Sequence, residues 1–218
     1  MKNMTEEKVY NLINEEINSK TLSVTEQYLG VNSLVYDDGK LKIERIDREK
    51  QGFVIAYLPV KEERYYISFY LDILTEEIVS VGIEPNNCVY FKAISEVMDL
   101  QQLCSLTSLI PTESWNKGDS RGKNNQIQKF STLIFESNPE PDEFDVKLKK
   151  LINFLEQDEE GIKVLVEKAD GYIQVEINFY IGNTMLGGPT IEKDIIKRMS
   201  NLNLEINFDL YVSGEPFN

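Results

Sequence analysis

Chemistry in this chain would fall to its carboxylates or to a rarer Ser-Lys arrangement, because the sequence holds 37 Asp and Glu and no histidine. Histidine is the commonest general base and metal ligand, so its absence removes Ser-His-Asp and Cys-His nucleophilic catalysis. Carboxylates do stand in adjacent pairs: Glu15/Glu16, Asp37/Asp38, Glu62/Glu63 and Glu159/Glu160. Neighbours on a helix or strand point in different directions, so adjacency alone makes no acid–base dyad. Cys88 and Cys104 lie sixteen positions apart, a spacing that fits no zinc or CxxC redox pattern. They read as reduced, small apolar side chains, unless the fold brings their Cα atoms within about 7 Å. Gly187-Gly188-Pro189-Thr190 precedes a helical pattern and could turn N–H groups toward an anion. It lacks the spacing of either phosphate-binding loop signature, and Pro189 removes one donor. A tight turn feeding a capped helix is the simpler reading. No catalytic residue, metal site or cofactor is expected, and the chain does not read as an enzyme.

What remains is binding. The only tryptophan, Trp115, stands in Pro111-Thr112-Glu113-Ser114-Trp115-Asn116-Lys117-Gly118-Asp119. Around its end the charge reverses locally, with Lys117, Arg121, Lys123 and Lys129 against Asp119. Trp and Arg dominate interface energetics, so Trp115, Lys117, Asp119 and Arg121 are candidate binding residues. The alternative has Trp115 packing on a sheet edge above a solvated loop. The net charge of −14 repels phosphate backbones and anionic membranes and draws cationic partners. Solubility is a sufficient alternative reason for that acidity. The polar, early-acidic start does not fit a signal peptide. No apolar run reaches the roughly twenty residues needed to span a bilayer, so a cytoplasmic location is expected.

The elements that must position these residues follow from periodicity. Val9, Leu12, Ile13 and Ile17 predict a helix over Thr5–Ile17, and Val24–Leu29 a short second one ending at Gly30. Leu34–Tyr36, Leu41–Ile46, Phe53–Val60, Tyr65–Ile73 and Ile78–Ile83 then read as an antiparallel meander, closed by the turn residues Glu84-Pro85-Asn86-Asn87. This defines a first domain, residues 1–86, of helix plus antiparallel sheet. The second, residues 87–218, starts with a strand at Cys88–Ile94 and a helix from the capping box Asp99/Gln102 to about Leu109. A long polar loop spans Asn116–Lys129, and a strand Phe130–Phe135. Phe144, Leu148, Leu151 and Leu155 give a further helix, with a shorter one at Ile162–Val166.

The clearest strands alternate strictly. Ile173, Val175, Ile177, Phe179 and Ile181 oppose Gln174, Glu176, Asn178 and Tyr180, and Leu204 to Val212 oppose Glu205, Asn207, Asp209 and Tyr211. Between them a helix stripe runs from Ile191 to Leu202, with Thr190 as its cap. The class is α+β, ending in an α/β sandwich with two strand–helix–strand units, of which a ferredoxin-like arrangement is one form. The polar strand positions Glu176, Asn178, Glu205, Asn207 and Asp209 join the candidate binding residues.

The run Tyr90-Phe91, Asp99, Leu103, Leu109-Ile110-Pro111-Thr112, Trp115 and Lys117-Gly118-Asp119 resembles the bacterial domain-of-unknown-function family number 4279 over about residues 88–218. Phe130 stands where that family often has a second tryptophan. The resemblance implies no catalysis. It implies kinship with proteins found near polymorphic-toxin and contact-dependent inhibition systems, where small acidic proteins serve as immunity factors. The expected function is therefore a cytoplasmic protein-binding module, in its sharpest form an immunity protein that neutralises a cationic toxin domain. Nucleic acid and membranes are not expected partners. A structural or regulatory homo-oligomer is the alternative, and a carboxylate- or metal-dependent enzyme the third reading.

Overall fold

The computed structural model describes residues 4–121, 126–182 and 186–217. The chain divides into two compact units: Met1–Asn86 with Ile177–Gly187 and Leu210–Asn218, and Asn87–Glu176 with Gly188–Asp209.

In the first unit Thr5 caps helix α1 (Glu6–Ser19) by accepting from the Lys8 N–H, with Glu6 and Glu7 at the positive end of the dipole. Val9 and Ile13 are buried on one face, and Glu16 is buried beside them. The Glu16 carboxylate accepts from the Thr21 hydroxyl, from Thr25 Oγ1 at 2.6 Å and from the Leu22 N–H at 3.0 Å. Burial works to raise this carboxyl, and the hydrogen bonds outweigh it and hold it below its ordinary value. Helix α2 (Ser23–Val31) keeps Gly30 inside its last turn, and Asn32 is the C-cap instead. Strands β1 (Tyr36–Asp37) and β2 (Lys40–Leu41) form a hairpin about the Asp38-Gly39 corner. Strands β3 (Arg45–Asp47), β4 (Phe53–Pro59), β5 (Tyr65–Asp72) and β6 (Glu77–Ser95) form an antiparallel meander, whereas the strand expected over Leu41–Ile46 is divided between β2 and β3 and the β1–β2 hairpin stands as a sheet of its own. The meander's core packs Val54, Leu58, Ile67 and Phe69 with Val9, Ile13 and Tyr180.

Glu84-Pro85-Asn86-Asn87 is not a turn, because β6 runs straight through it. Pro85 is tolerated because it faces Tyr65, the first residue of β5, where the ladder ends and a missing N–H costs little.

In the second unit the capping box of Asp99 and Gln102 starts α3 (Leu100–Cys104) as expected. The helix stops well short of Leu109. Thr107 Oγ1 and the Ser108 N–H donate to Asp158 Oδ2 at 2.7 and 2.6 Å, an alternative that draws this backbone out of the helix. The stretch expected as one long loop contains β8 (Ser120–Arg121) paired with β9 (Gln126–Ile127), after β7 (Glu113–Trp115) and before β10 (Ser131–Phe135). Lys123 lies outside the described residues. Helix α4 (Phe144–Leu155), a 3-10 turn at Glu156–Asp158 and α5 (Glu159–Lys168) lead to β11 (Tyr172–Tyr180), α6 (Lys193–Asn201) and β12 (Ile206–Ser213). The cap of α6 is Glu192 and not Thr190. Cys88 and Cys104 are unbridged, Cys88 half-buried and Cys104 exposed.

β10 pairs with β7 on one side and β6 on the other, and β11 and β12 follow β6 in the sheet order. The first strand–helix–strand pair is antiparallel, with Phe135 opposite Phe91, so it forms no parallel crossover. In the second pair the Ile173 N–H donates to Glu205 O, and the Ile181 N–H to Ser213 O, each at 2.8 Å. Both strands advance together between these bonds, so β11 and β12 run parallel. Helices with a largely antiparallel sheet make the α+β class expected.

The strict alternation read along β11 breaks at Ile177–Asn178, two successive buried residues. Ile173 and Val175 bury before this point, whereas Asn178 and Tyr180 bury after it and Ile181 is exposed. The break coincides with the passage of the chain from one unit to the other, so each half of the strand faces its own core. Leu210 and Val212, expected inside, are 55% and 48% exposed.

Replacing Thr25 by Val removes a buried donor from Glu16 and should cost about 1–2 kcal/mol at neutral pH. Because the folded-state carboxyl is lowered, its stabilising effect is present above the ordinary value near 4.5 and fades as pH falls through the folded value. Urea unfolding should therefore separate variant from wild type at pH 7 and bring them together in acid. Gly161 donates its N–H to Asp158 Oδ1 at 3.1 Å, and a Cβ there would overlap the Asp158 carboxylate. Gly161→Ala should lower thermal stability by about 1–3 kcal/mol, read by calorimetry.

Candidate functional site

The second unit's sheet has two chemically different faces. Phe91, Ala93, Leu133 and Phe135 are buried, and Phe135 stacks against Phe154 of α4 with ring centroids 6.3 Å apart. These positions define the helix-covered face. Residues directly opposite on paired strands share a face. Trp115 pairs with Thr132, which pairs with Ile94, and the neighbouring row is Glu113, Ile134 and Lys92. All six alternate with the buried set along their strands and so share the opposite, outer face, on which Thr132 is itself buried at 2% exposure.

The outer face continues across the remaining strands. Tyr90 Oη donates to Glu176 Oε1 at 2.8 Å, and Gln174 Nε2 donates to Asp209 Oδ2 at 3.1 Å. Asn207 lies two residues before Asp209 on the same exposed side, and Glu205 continues that alternation just ahead of β12. Of the residues picked from the sequence, Trp115, Glu176, Glu205, Asn207 and Asp209 thus share one sheet face, with Trp115 on β7 at one side of it and Glu205, Asn207 and Asp209 along β12 at the other. Asn178 does not join them, being 8% exposed and belonging to the first unit.

Lys117 and Asp119 are occupied in a turn. The Asn116 N–H donates to Asp119 Oδ2 at 2.8 Å, and the Asp119 N–H returns to Asn116 O at 3.2 Å. Gly118 takes a φ of +91°, a left-handed conformation that favours glycine. Asn116 Oδ1 accepts from the Leu100 N–H and from Ser131 Oγ, each at 3.0 Å, joining the start of α3 to the start of β10. Lys117 Nζ donates to the Glu96 carbonyl at 2.8 Å. Arg121 supplies backbone to β8, and its side chain falls outside the described atoms.

The face also holds residues that sequence reasoning passed over. Tyr90 was part of the resemblance motif but had no role attached to it. Burial raises its hydroxyl, and Glu176 beside it adds to the effect. Glu113 sits one pair away from Trp115. Glu136 follows β10 with the outer-face parity and feels Glu113 and Glu176. Burial pushes the Glu136 carboxyl up, Lys147 pulls it down, and the two other carboxylates push it up further; the net direction is upward. No periodicity signals such a group, because its environment is assembled from three strands and a helix.

Beneath these residues lies a buried polar brace. Lys147 of α4 is 1% exposed, and its Nζ donates to the Asn87 carbonyl at 2.5 Å. Asn87 Nδ2 donates to Asp142 O at 3.0 Å, Asn138 Nδ2 to Asp142 Oδ2 at 2.8 Å, and Lys150 Nζ to the same oxygen at 3.2 Å. Arg198 of α6 holds Glu156 through Nε and Nη2 at 2.8 and 2.5 Å, which lowers the Glu156 carboxyl. The Lys147 and Asp142 bonds fix α4 and its approach to β6, and the Arg198–Glu156 pair fixes α6 to the turn that follows α4. Among the described residues, no group of three or more Cys, Asp or Glu is placed to hold a metal ion. Nor does any described helix have the length and apolarity to cross a membrane.

The outer face therefore combines the aromatic rings of Tyr90 and Trp115 with the carboxylates of Glu113, Glu136, Glu176 and Asp209, beside Lys92. Such a set suits guanidinium and ammonium groups, through charge and through ring faces. Residues 84–213 match the family model described as domain of unknown function (DUF4279). The match spans more than half of the chain, and the protein belongs to this family. No curated protein and no solved structure matches it.

The raised Glu136 carboxyl carries a signed prediction. Its stabilising effect is complete below the ordinary value near 4.5 and is lost as pH rises through the folded value. Glu136→Gln should remove this component, so urea midpoints measured from pH 5 to pH 8 should fall less in the variant than in wild type. Equal slopes would show that the carboxyl is not raised.

Proposed function

We propose that this is a cytoplasmic, non-catalytic protein-binding module whose outer sheet face receives a basic protein. The supporting observation is the gathering of Trp115 and Tyr90 with Glu113, Glu136, Glu176 and Asp209 on one sheet face. An overall charge of −14 speeds encounter with a cationic partner, and the aromatic side chains supply the anchors that hold it. The strands fix these groups before binding, which lowers the ordering cost of association. Neutralisation of a cationic toxin domain is the particular form of this function that the family resemblance favours. The unbridged Cys88 and Cys104 are in keeping with a reducing compartment.

The test is co-purification of the native protein with the products of neighbouring genes, together with protection of cells from a neighbouring toxin. Trp115→Ala and Glu176→Lys should each weaken capture at least about tenfold, the charge reversal chiefly through slower association at low salt. Capture unaffected by both substitutions, or no capture at all, would remove this reading.

A further inference from the structure

β12 ends the sheet order, and among the described residues no strand pairs with its far side. The bonds that Glu205 O and Ser213 O accept from β11 turn the odd-numbered residues of this strand inward. Alternation then turns the N–H and C=O groups of Ile206 and Phe208 toward the free edge. Such edges recruit other chains unless they are short, bulged, or guarded by Lys or Pro. β3 and β7, the other end strands, have three residues each. β12 has eight residues and contains no Lys, Arg or Pro.

Two further features flank the first half of this edge, both within the second unit. On the helix-covered side, between α6 and β12, lies an open groove of about 500 Å³ lined chiefly by Ile191, Ile196, Met199, Leu204 and Ile206. Ile196 is 53% exposed there. On the outer side stand Glu205, Asn207 and Asp209, all exposed. No Lys or Arg follows Arg198 in the chain.

We propose that β12 is a docking edge for an extended segment of another protein in which apolar and basic residues alternate. Such a segment would bond to the outward amides and carbonyls of Ile206 and Phe208. Its alternate side chains point to opposite faces, so one set enters the groove beside Ile196 while the other meets Glu205 and Asp209. A second copy of this chain is the poorer occupant. It would set carboxylates against carboxylates between two molecules that each carry −14. The inference shares with the proposed function the basic character of the partner and the outer-face carboxylate Asp209, and it rests on an open strand edge that the proposed function does not use.

The probe is a short capped peptide of alternating Lys and Val, added to the full chain and followed by amide hydrogen exchange and by fluorescence anisotropy. The expected result is slowed exchange at the N–H groups of Ile206 and Phe208, with the inward N–H of Asn207 unchanged. Ile196→Asp, and Glu205→Lys with Asp209→Lys, should each weaken binding about tenfold, since both alter exposed side chains that the fold does not need. A peptide in which Ser replaces Val should bind more weakly, and one in which Glu replaces Lys should not bind. Peptide binding without protection at Ile206 and Phe208 overturns the proposal, as does no binding. So does protection that appears with protein concentration alone, which would make a second copy the occupant. A natural partner whose capture depends on Trp115 but leaves these two amides unprotected would overturn this inference while sparing the function proposed above.

Discussion

A buried ammonium is stable only when its donors are satisfied, and Lys147 imposes that condition on the second unit. Its Nζ reaches the carbonyl of Asn87, which ties α4 to the beginning of the Asn87–Ser95 part of β6. Asn87 and Asn138 both hold Asp142, so the approach to α4 is fixed by the same network. From this start α4 delivers Leu148, Leu151 and Leu155 to a fully buried layer. The sheet's alternate positions must then look outward, and Tyr90, Lys92 and Glu176 are among them. The outer face is in this sense a residue of the packing: it consists of what the helices do not need.

Burial is the chief reason that Glu136 holds its proton more tightly than a free side chain; Lys147 works against it, and the carboxylates of Glu113 and Glu176 add a smaller repulsion. A cation placed among them relieves the repulsion, whereas a neutral ligand does not.

Much of this fold is written in local sequence. The Thr5 cap, the strands from Phe53 to Asp72, and the spacing of Phe144, Leu148, Leu151 and Leu155 all act within a few residues and produced the elements expected, and the Asp99 cap started its helix where expected. Features that depend on partners distant in sequence were not legible. Pro85 reads as a turn residue until Tyr65 is seen to end the ladder opposite it. The shortening of α3 depends on Asp158, some fifty residues away. Lys147 lies within a charged-looking Lys147/Lys149/Lys150 run, and nothing local distinguishes the buried lysine from its exposed neighbour Lys149. For the site, outward parity on β11 and β12 was readable and brought Glu176, Asn207 and Asp209 forward. The roles of Lys117 and Asp119 were not, because a turn and a contact surface favour the same residue types.

The parity change at Ile177–Asn178 bears on how the molecule tolerates drift. Val175 is buried in one interior and Tyr180 in the other, although five positions of a single strand separate them. Replacements at the two ends of β11 are therefore judged by different neighbours. Lengthening or trimming the strand by a single residue near that point is another matter, since it would present one of the interiors with the wrong side of the chain.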